Sequence, residues 1–335
     1  MLISLELYQH LTIAECILAG LLNFVAVPLS IYWSKYTLGS YKIIMLVFCG
    51  TNMCVCIIDI FAFPRHYFQP NMVIFYSSGI VRQWGKSIAT MGAGCIAMLF
   101  MLQVYLEALH FLYRFVVLCK QEMYVRILTI RNVAIIVFVS YIGSLIFHIG
   151  NLFLHATMDE DIYEAIGNNS LATIGIPARE VYGLPFYYFT KNSLGEQVIR
   201  WKSVFGMIAV MGCNSVYIST MFFCAYKIHQ SIKKKAELAE LSPSTLEMHS
   251  TLFKMLLVQT MIPLFLLHLP CGIVFLGPVF FNVGWPGEAQ MIGVRLYPIF
   301  EPLVVIYFLN KRRIQNFLQR KKVSTTAYVD SVALS

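Results

Sequence analysis

The sequence predicts an all-α integral membrane protein, a bundle of seven helices with its N-terminus outside and its C-terminus in the cytoplasm. Two observations carry the fold and a third carries the orientation. Seven apolar stretches, at about 11–33, 43–64, 87–112, 133–153, 203–226, 255–280 and 289–309, are each long enough to cross a bilayer. About twenty apolar residues at about 1.5 Å rise span a hydrocarbon core about 30 Å thick, and a single helix does so with its backbone groups paired. Composition agrees: 58% of residues are hydrophobic, 13% are charged and mean hydropathy is +0.69, where a soluble domain carries about 25% charge.

Orientation comes from the basic residues. With the N-terminus outside, 17 of the 25 Lys and Arg fall in cytoplasmic segments, among them Lys42, Arg114, Arg131, Lys233, Lys234, Lys235 and the cluster Lys311-Arg312-Arg313. The N-x-S/T site at Asn168 falls on the opposite face, in the long second outer loop, where it is expected to carry a glycan. The net charge of +8 therefore marks sidedness and contact with lipid headgroups; no nucleic-acid partner is expected. The chain divides into a seven-transmembrane domain at 1–310 and a cytoplasmic amphipathic helix and tail at 311–335, with no length left for a second folded domain. In 311–322, Ile314, Phe317 and Leu318 share one face and bases the other, as suits a helix lying on the inner leaflet. With neither a basic leader nor a small-residue cleavage site, the first span is expected to be an uncleaved signal anchor.

The outer N-terminus of about ten residues is too short to hold a ligand alone, so a small ligand must enter the bundle. The second outer loop, at about 154–200, starts acidic (Asp159, Glu160, Asp161, Glu164) and carries the rings of Tyr182, Phe186, Tyr187, Tyr188 and Phe189. These rings are either a lid over a pocket or an interfacial belt. Nine cysteines fall almost wholly inside spans, where a thiol packs as a small apolar group, and no disulfide framework or metal spacing is visible.

Between the fifth and sixth spans, Lys227–Lys254 reads as two helical extensions parted at Ser242-Pro243, with Ser244 and Glu247 as a capping box for a long sixth helix. Pro263, Pro270 and Pro278 each remove a backbone donor and free the carbonyl four residues earlier, which makes the sixth helix a candidate hinge. Pro298 and Pro302 do the same on one face of the seventh.

Polar groups inside spans are costly and mark partners or a cavity. Asp59 lies about 25 Å above Lys42 at about 1.5 Å per residue, and His268 and Arg295 reach a similar depth. The three either line an outer-half pocket, or Asp59 and Arg295 simply pair. Met91, Met98, Phe205 and Phe275 nearby suit a small apolar ligand. Tyr113 and Arg114 stand at the inner end of the third span; Arg114 either snorkels to the headgroups or ties the third helix to acidic groups on the sixth. No metalloprotease, nucleophile-elbow or phosphate-loop motif occurs, so neither enzyme activity nor a cofactor is expected.

Several short motifs taken together carry a family resemblance: Leu38-Gly39-Ser40-Tyr41-Lys42 with Met45, Asp59 with Pro64 and His66, Tyr113-Arg114-Phe115, Gln259-Thr260 with Ile262-Pro263, Pro270 and Pro278, and Tyr297-Pro298 with Glu301-Pro302-Leu303. In this order they resemble the nematode serpentine chemoreceptors of the Str superfamily, whose best-known class is the diacetyl-type odorant receptors. Phe115 stands where the family usually has Tyr, and Glu301 where it mostly has Asp. The resemblance implies a G-protein-coupled chemosensory receptor of sensory cilia, with a small environmental molecule as ligand and a heterotrimeric G protein as partner. The alternative is a ligand-gated channel or a small-molecule transporter. Sidedness and the absence of visible inverted repeats favour the receptor.

Overall fold

A computed structural model describes residues 5–33, 41–120, 129–167, 174–192, 194–280 and 290–308. Among these residues seven helices are long and apolar enough to span a membrane. They are α1 (Leu5–Trp33), α2 (Tyr41–Ala62), α3 (Lys86–Cys119), α4 (Ile130–His155), α6 (Trp201–Glu237), the pair α7 (Pro243–Pro263) and α8 (Leu269–Phe280) acting as one, and α9 (Gln290–Phe308). The short helix α5 (Glu160–Ile166) sits in the connection after α4. The sequon at Asn168, the first inner loop at 34–40 and the whole segment 311–335 lie outside the described residues.

Burial follows from which solvent each face meets. Phe24 on α1, Phe138 on α4 and Phe222 on α6 are more than 60% exposed, as an apolar face turned to lipid should be. The central rod is α3. Its buried stripe runs Ala89, Ala93, Ile96, Phe100, Gln103, Glu107, His110, Arg114, alternating steps of four and three, so one face looks inward over the whole length. The stripe begins apolar and ends polar, and that gradient separates an apolar cavity at one end from a hydrogen-bonded core further along.

An expectation of helices alone misses a sheet. Two strands, β1 (Pro64–Gln69) and β2 (Met72–Ser77), form a hairpin between α2 and α3, and β3 (Gly183–Tyr187) pairs antiparallel with β2. The first strand carries His66, Tyr67 and Phe68, the second is rich in aromatic and β-branched residues, and Pro70-Asn71 makes the turn, with Asn71 at φ 64°. Gly183 faces Tyr76, and a Cβ there would collide with the β2 backbone, so this pairing requires glycine. A second small hairpin, β4 (Phe189–Lys191) with β5 (Gln197–Ile199), leads into α6. The acidic start of the loop is used locally: Asp159 caps α5 and pairs with Arg200, while Glu160 holds Arg179 by two hydrogen bonds of 3.1 and 2.8 Å.

The long sixth helix has a different cap from the one its sequence suggested. Ser242, not Ser244, is the N-cap; its hydroxyl accepts from the Thr245 amide at 3.2 Å, and Pro243 takes the first helical position, where its missing N–H is harmless. Between Pro263 and Pro270 the helix widens into a π-helical turn, Leu264–His268.

Candidate functional site

At the sheet end of the bundle a cavity of about 190 Å³ opens between α3, α4, α6, α8 and α9, with β1, β2 and β3 over its top. Most of its wall is apolar, with Met98, Phe100, Met207, Leu267 and Phe275 among the lining side chains. Phe186 from β3 packs edge-on to Phe275 with ring centroids 4.9 Å apart, and His66 from β1 lies 6.1 Å from the same ring. The Tyr188 hydroxyl donates to the Phe275 carbonyl at 2.8 Å, which ties the loop to α8. Burial pushes the Tyr188 phenol well above its usual range, so it remains a donor. Phe186 and Tyr188 of the aromatic run thus both pack against Phe275 at the cavity.

Gly206 brings α6 against α4. Asn151 donates to its carbonyl at 3.3 Å, and a Cβ at 206 would run into His155. That close approach closes one side of the cavity.

The expected pocket residues divide three ways. Met98, His268 and Phe275 line the cavity. Asp59 and Arg295 do not; Arg295 Nε lies 2.5 Å from Asp59 Oδ2, both are almost wholly buried, and Arg295 also donates to the Tyr8 hydroxyl at 2.6 Å. Tyr8 in turn donates to the Pro64 carbonyl at 2.5 Å, so one hydrogen-bonded chain joins α1, α2, α9 and the start of the hairpin. Met91 and Phe205 are corrected outright: they are 58% and 55% exposed on the outer surface of the bundle. Both sit off the inward stripe of their helices, so they face lipid, and depth in a span alone could not show this.

Below the cavity lies a polar core whose members the sequence reading largely passed over. Gln259 donates to Glu301 Oε1 at 2.7 Å, Asn52 to Glu301 Oε2 at 3.4 Å, and Gln103 to Asn52 Oδ1 at 2.6 Å. Asn52 also reaches Asn23 at 3.2 Å, and Asn23 donates to the Pro298 carbonyl at 2.9 Å. That carbonyl is the one Pro302 frees, so a first-helix amide replaces the donor the proline removed. Tyr297 donates to Glu107 at 3.0 Å one turn further. The available signal was the run of polar residues at 103, 107, 110 and 114, all on the inward stripe.

At the far end Arg114 is buried, 5% exposed, with its guanidinium 4.3 Å from the centre of the Tyr41 ring. It neither snorkels nor meets an acidic group of the sixth helix among the described residues. Tyr113 clusters instead with Tyr41 of α2, Leu252 and Met255 of α7 and Val305 of α9.

This arrangement leaves a mainly apolar cavity at one end and a hydrogen-bonded polar core beneath it. The sequence profile of the serpentine type 7TM GPCR chemoreceptor Str family matches residues 8–315. The chain belongs to the Str family of seven-transmembrane G-protein-coupled chemoreceptors. The receptor is 25% identical to the serpentine receptor class r-10 of Caenorhabditis elegans over 86% of this chain and 84% of that one. It is likewise 25% identical to the G-protein coupled receptor str-33 of the same organism, over 90% of this chain and 88% of the other. In fold it is similar to squid rhodopsin, with a TM-score of 0.58 at 13% identity over 90% of this chain and 77% of that structure. The family is one of multi-pass membrane receptors, not enzymes.

Proposed function

We propose that the receptor binds a small environmental molecule in the cavity beneath the sheet and transmits its presence to a heterotrimeric G protein at the opposite end. The observation that carries this reading is where the cavity lies. Its wall includes Leu267 and His268 of the π-helical turn, the segment where the sixth helix departs from a regular rod. A ligand seated there touches the hinge. It favours one bundle arrangement only by its difference in affinity between arrangements.

In this reading the sheet end and the N-terminus face outside, and Arg114, Tyr113 and the ends of α6 and α7 meet the G protein in the cytoplasm. Pro263, Pro270, Pro298 and Pro302 are the hinge positions. The plasma membrane of a sensory cilium is the expected location, and sensory perception the expected process, by resemblance to the family. The test is a calcium-response screen of volatile and water-soluble compounds in cells that express the receptor with a promiscuous G protein. A response that disappears when the G protein is omitted supports the reading; a ligand-evoked current without any G protein replaces it with a channel.

A further inference from the structure

The cavity's polar atoms specify the chemistry of its occupant. Among the described residues no Asp, Glu, Lys or Arg lines it. A charged ligand would enter without a counter-ion and lose its hydration, which is the costlier arrangement in a low-dielectric bundle. Apolar contact supplies most of the wall, yet several buried heteroatoms on it lack a partner among the described residues: Asn214 Oδ1, Gln290 Oε1, and Nε2 of both His148 and His268.

Asn214 is the most restrictive of these, because its amide meets a partner that can only accept. Its Nδ2 lies 3.2 Å from Met101 Sδ. A thioether sulfur has lone pairs and no hydrogen, so the amide must present its N–H₂ to Met101, and its oxygen is left for the cavity. An amide oxygen only accepts. Gln290 is less restrictive, since its partner Cys271, at 3.1 Å, carries a thiol that can either accept or donate. The two imidazole nitrogens can accept or donate according to tautomer.

We infer that the ligand is an uncharged, mainly apolar molecule carrying a hydrogen-bond donor, best a hydroxyl, which donates to Asn214 Oδ1 and can accept from an imidazole. This rests on the reading of the cavity as the ligand site. Carbonyl compounds without a donor leave Asn214 Oδ1 unpaired and buried, a loss that a binding site registers strongly.

The experiment measures binding, not signalling. Full-length receptor in lipid nanodiscs is titrated with secondary alcohols and with the ketones of the same carbon skeleton, alongside carboxylates and alkylammonium ions of similar size. The alcohols should bind about tenfold more tightly than their ketones, the weight of one hydrogen bond. Asn214→Leu should bring the ratio close to one while retaining ketone binding, which shows the variant is folded. Met101→Leu, which nearly conserves volume, releases the amide to turn its N–H₂ toward the cavity and should raise ketone affinity. Ketones equal to alcohols on the parent, ions as the best binders, or a ratio unchanged in both variants would overturn the inference. If none of the four classes binds, the cavity falls as the ligand site and the inference falls with it. If alcohols bind with the expected preference but no G-protein response follows, the inference stands and the signalling reading fails.

Discussion

Arg295 Nε and Asp59 Oδ2 stand 2.5 Å apart, buried inside the bundle near the start of the hairpin, and with Tyr8 they bind the first, second and seventh spans together. Removing one partner leaves a buried charge without compensation. Arg295→Met alone should therefore destabilise the receptor by about 3–5 kcal/mol, while Asp59→Leu with Arg295→Met should recover much of the loss. Thermal unfolding of the purified single and double variants checks this; a double variant as unstable as the sum of the singles contradicts it.

His268 lines the cavity from the π-helical turn, and Tyr188 ties the loop above it to the Phe275 carbonyl. His268→Phe should shift ligand potency with surface expression unchanged. Tyr188→Phe deletes one hydrogen bond, worth about 1 kcal/mol, and should speed ligand dissociation several-fold with little effect on association. Dissociation rates equal to the parent's would leave the loop as a static cap.

Arg114 lies under the Tyr41 ring at 4.3 Å, with Nε and Nη2 lacking hydrogen-bond partners among the described residues. Arg114→Ala should abolish G-protein activation and leave ligand binding largely intact. Tyr41→Leu removes the ring that holds the guanidinium, a contact worth about 1–2 kcal/mol when desolvated, and should raise ligand-independent signalling. Parent-like signalling by both variants at equal surface density excludes Arg114 from coupling.

Pro263 ends α7 at the first residue before the π-helical turn. Pro263→Ala restores a donor to the Gln259 carbonyl and should stiffen the helix, reducing maximal response more than affinity. Dose–response curves separate the two; an unchanged maximum with altered affinity assigns the proline to packing.

Sidedness is checked with two probes. A C-terminal tag should be stained only after permeabilisation, and Asn168 should be glycosylated in microsomes. A tag stained on intact cells reverses the orientation and with it the placing of ligand and G protein.

What the sequence determined by itself was the number of spans, because hydropathy over about twenty residues is a local quantity and each helix satisfies its own backbone in lipid. It also located polar side chains at depth, among them Asp59, His268 and Arg295, and the prolines that loosen the sixth and seventh helices. Only the tertiary structure decided which of these meet. Asp59 and Arg295 share a depth with His268, but helix rotation turns the pair toward Tyr8 and leaves the histidine at the cavity, and the same rotation sends Met91 and Phe205 to the lipid face. The sheet was half legible: Pro70-Asn71 between an aromatic run and an aromatic, β-branched one marks a hairpin, yet the third strand comes from more than a hundred residues later and depends on Gly183 meeting Tyr76. Glu301 acquires Gln259 and Asn52 as partners for the same reason. Burial and hydrogen bonding between distant segments depend on rotation and packing, and neither is encoded in any single stretch of chain.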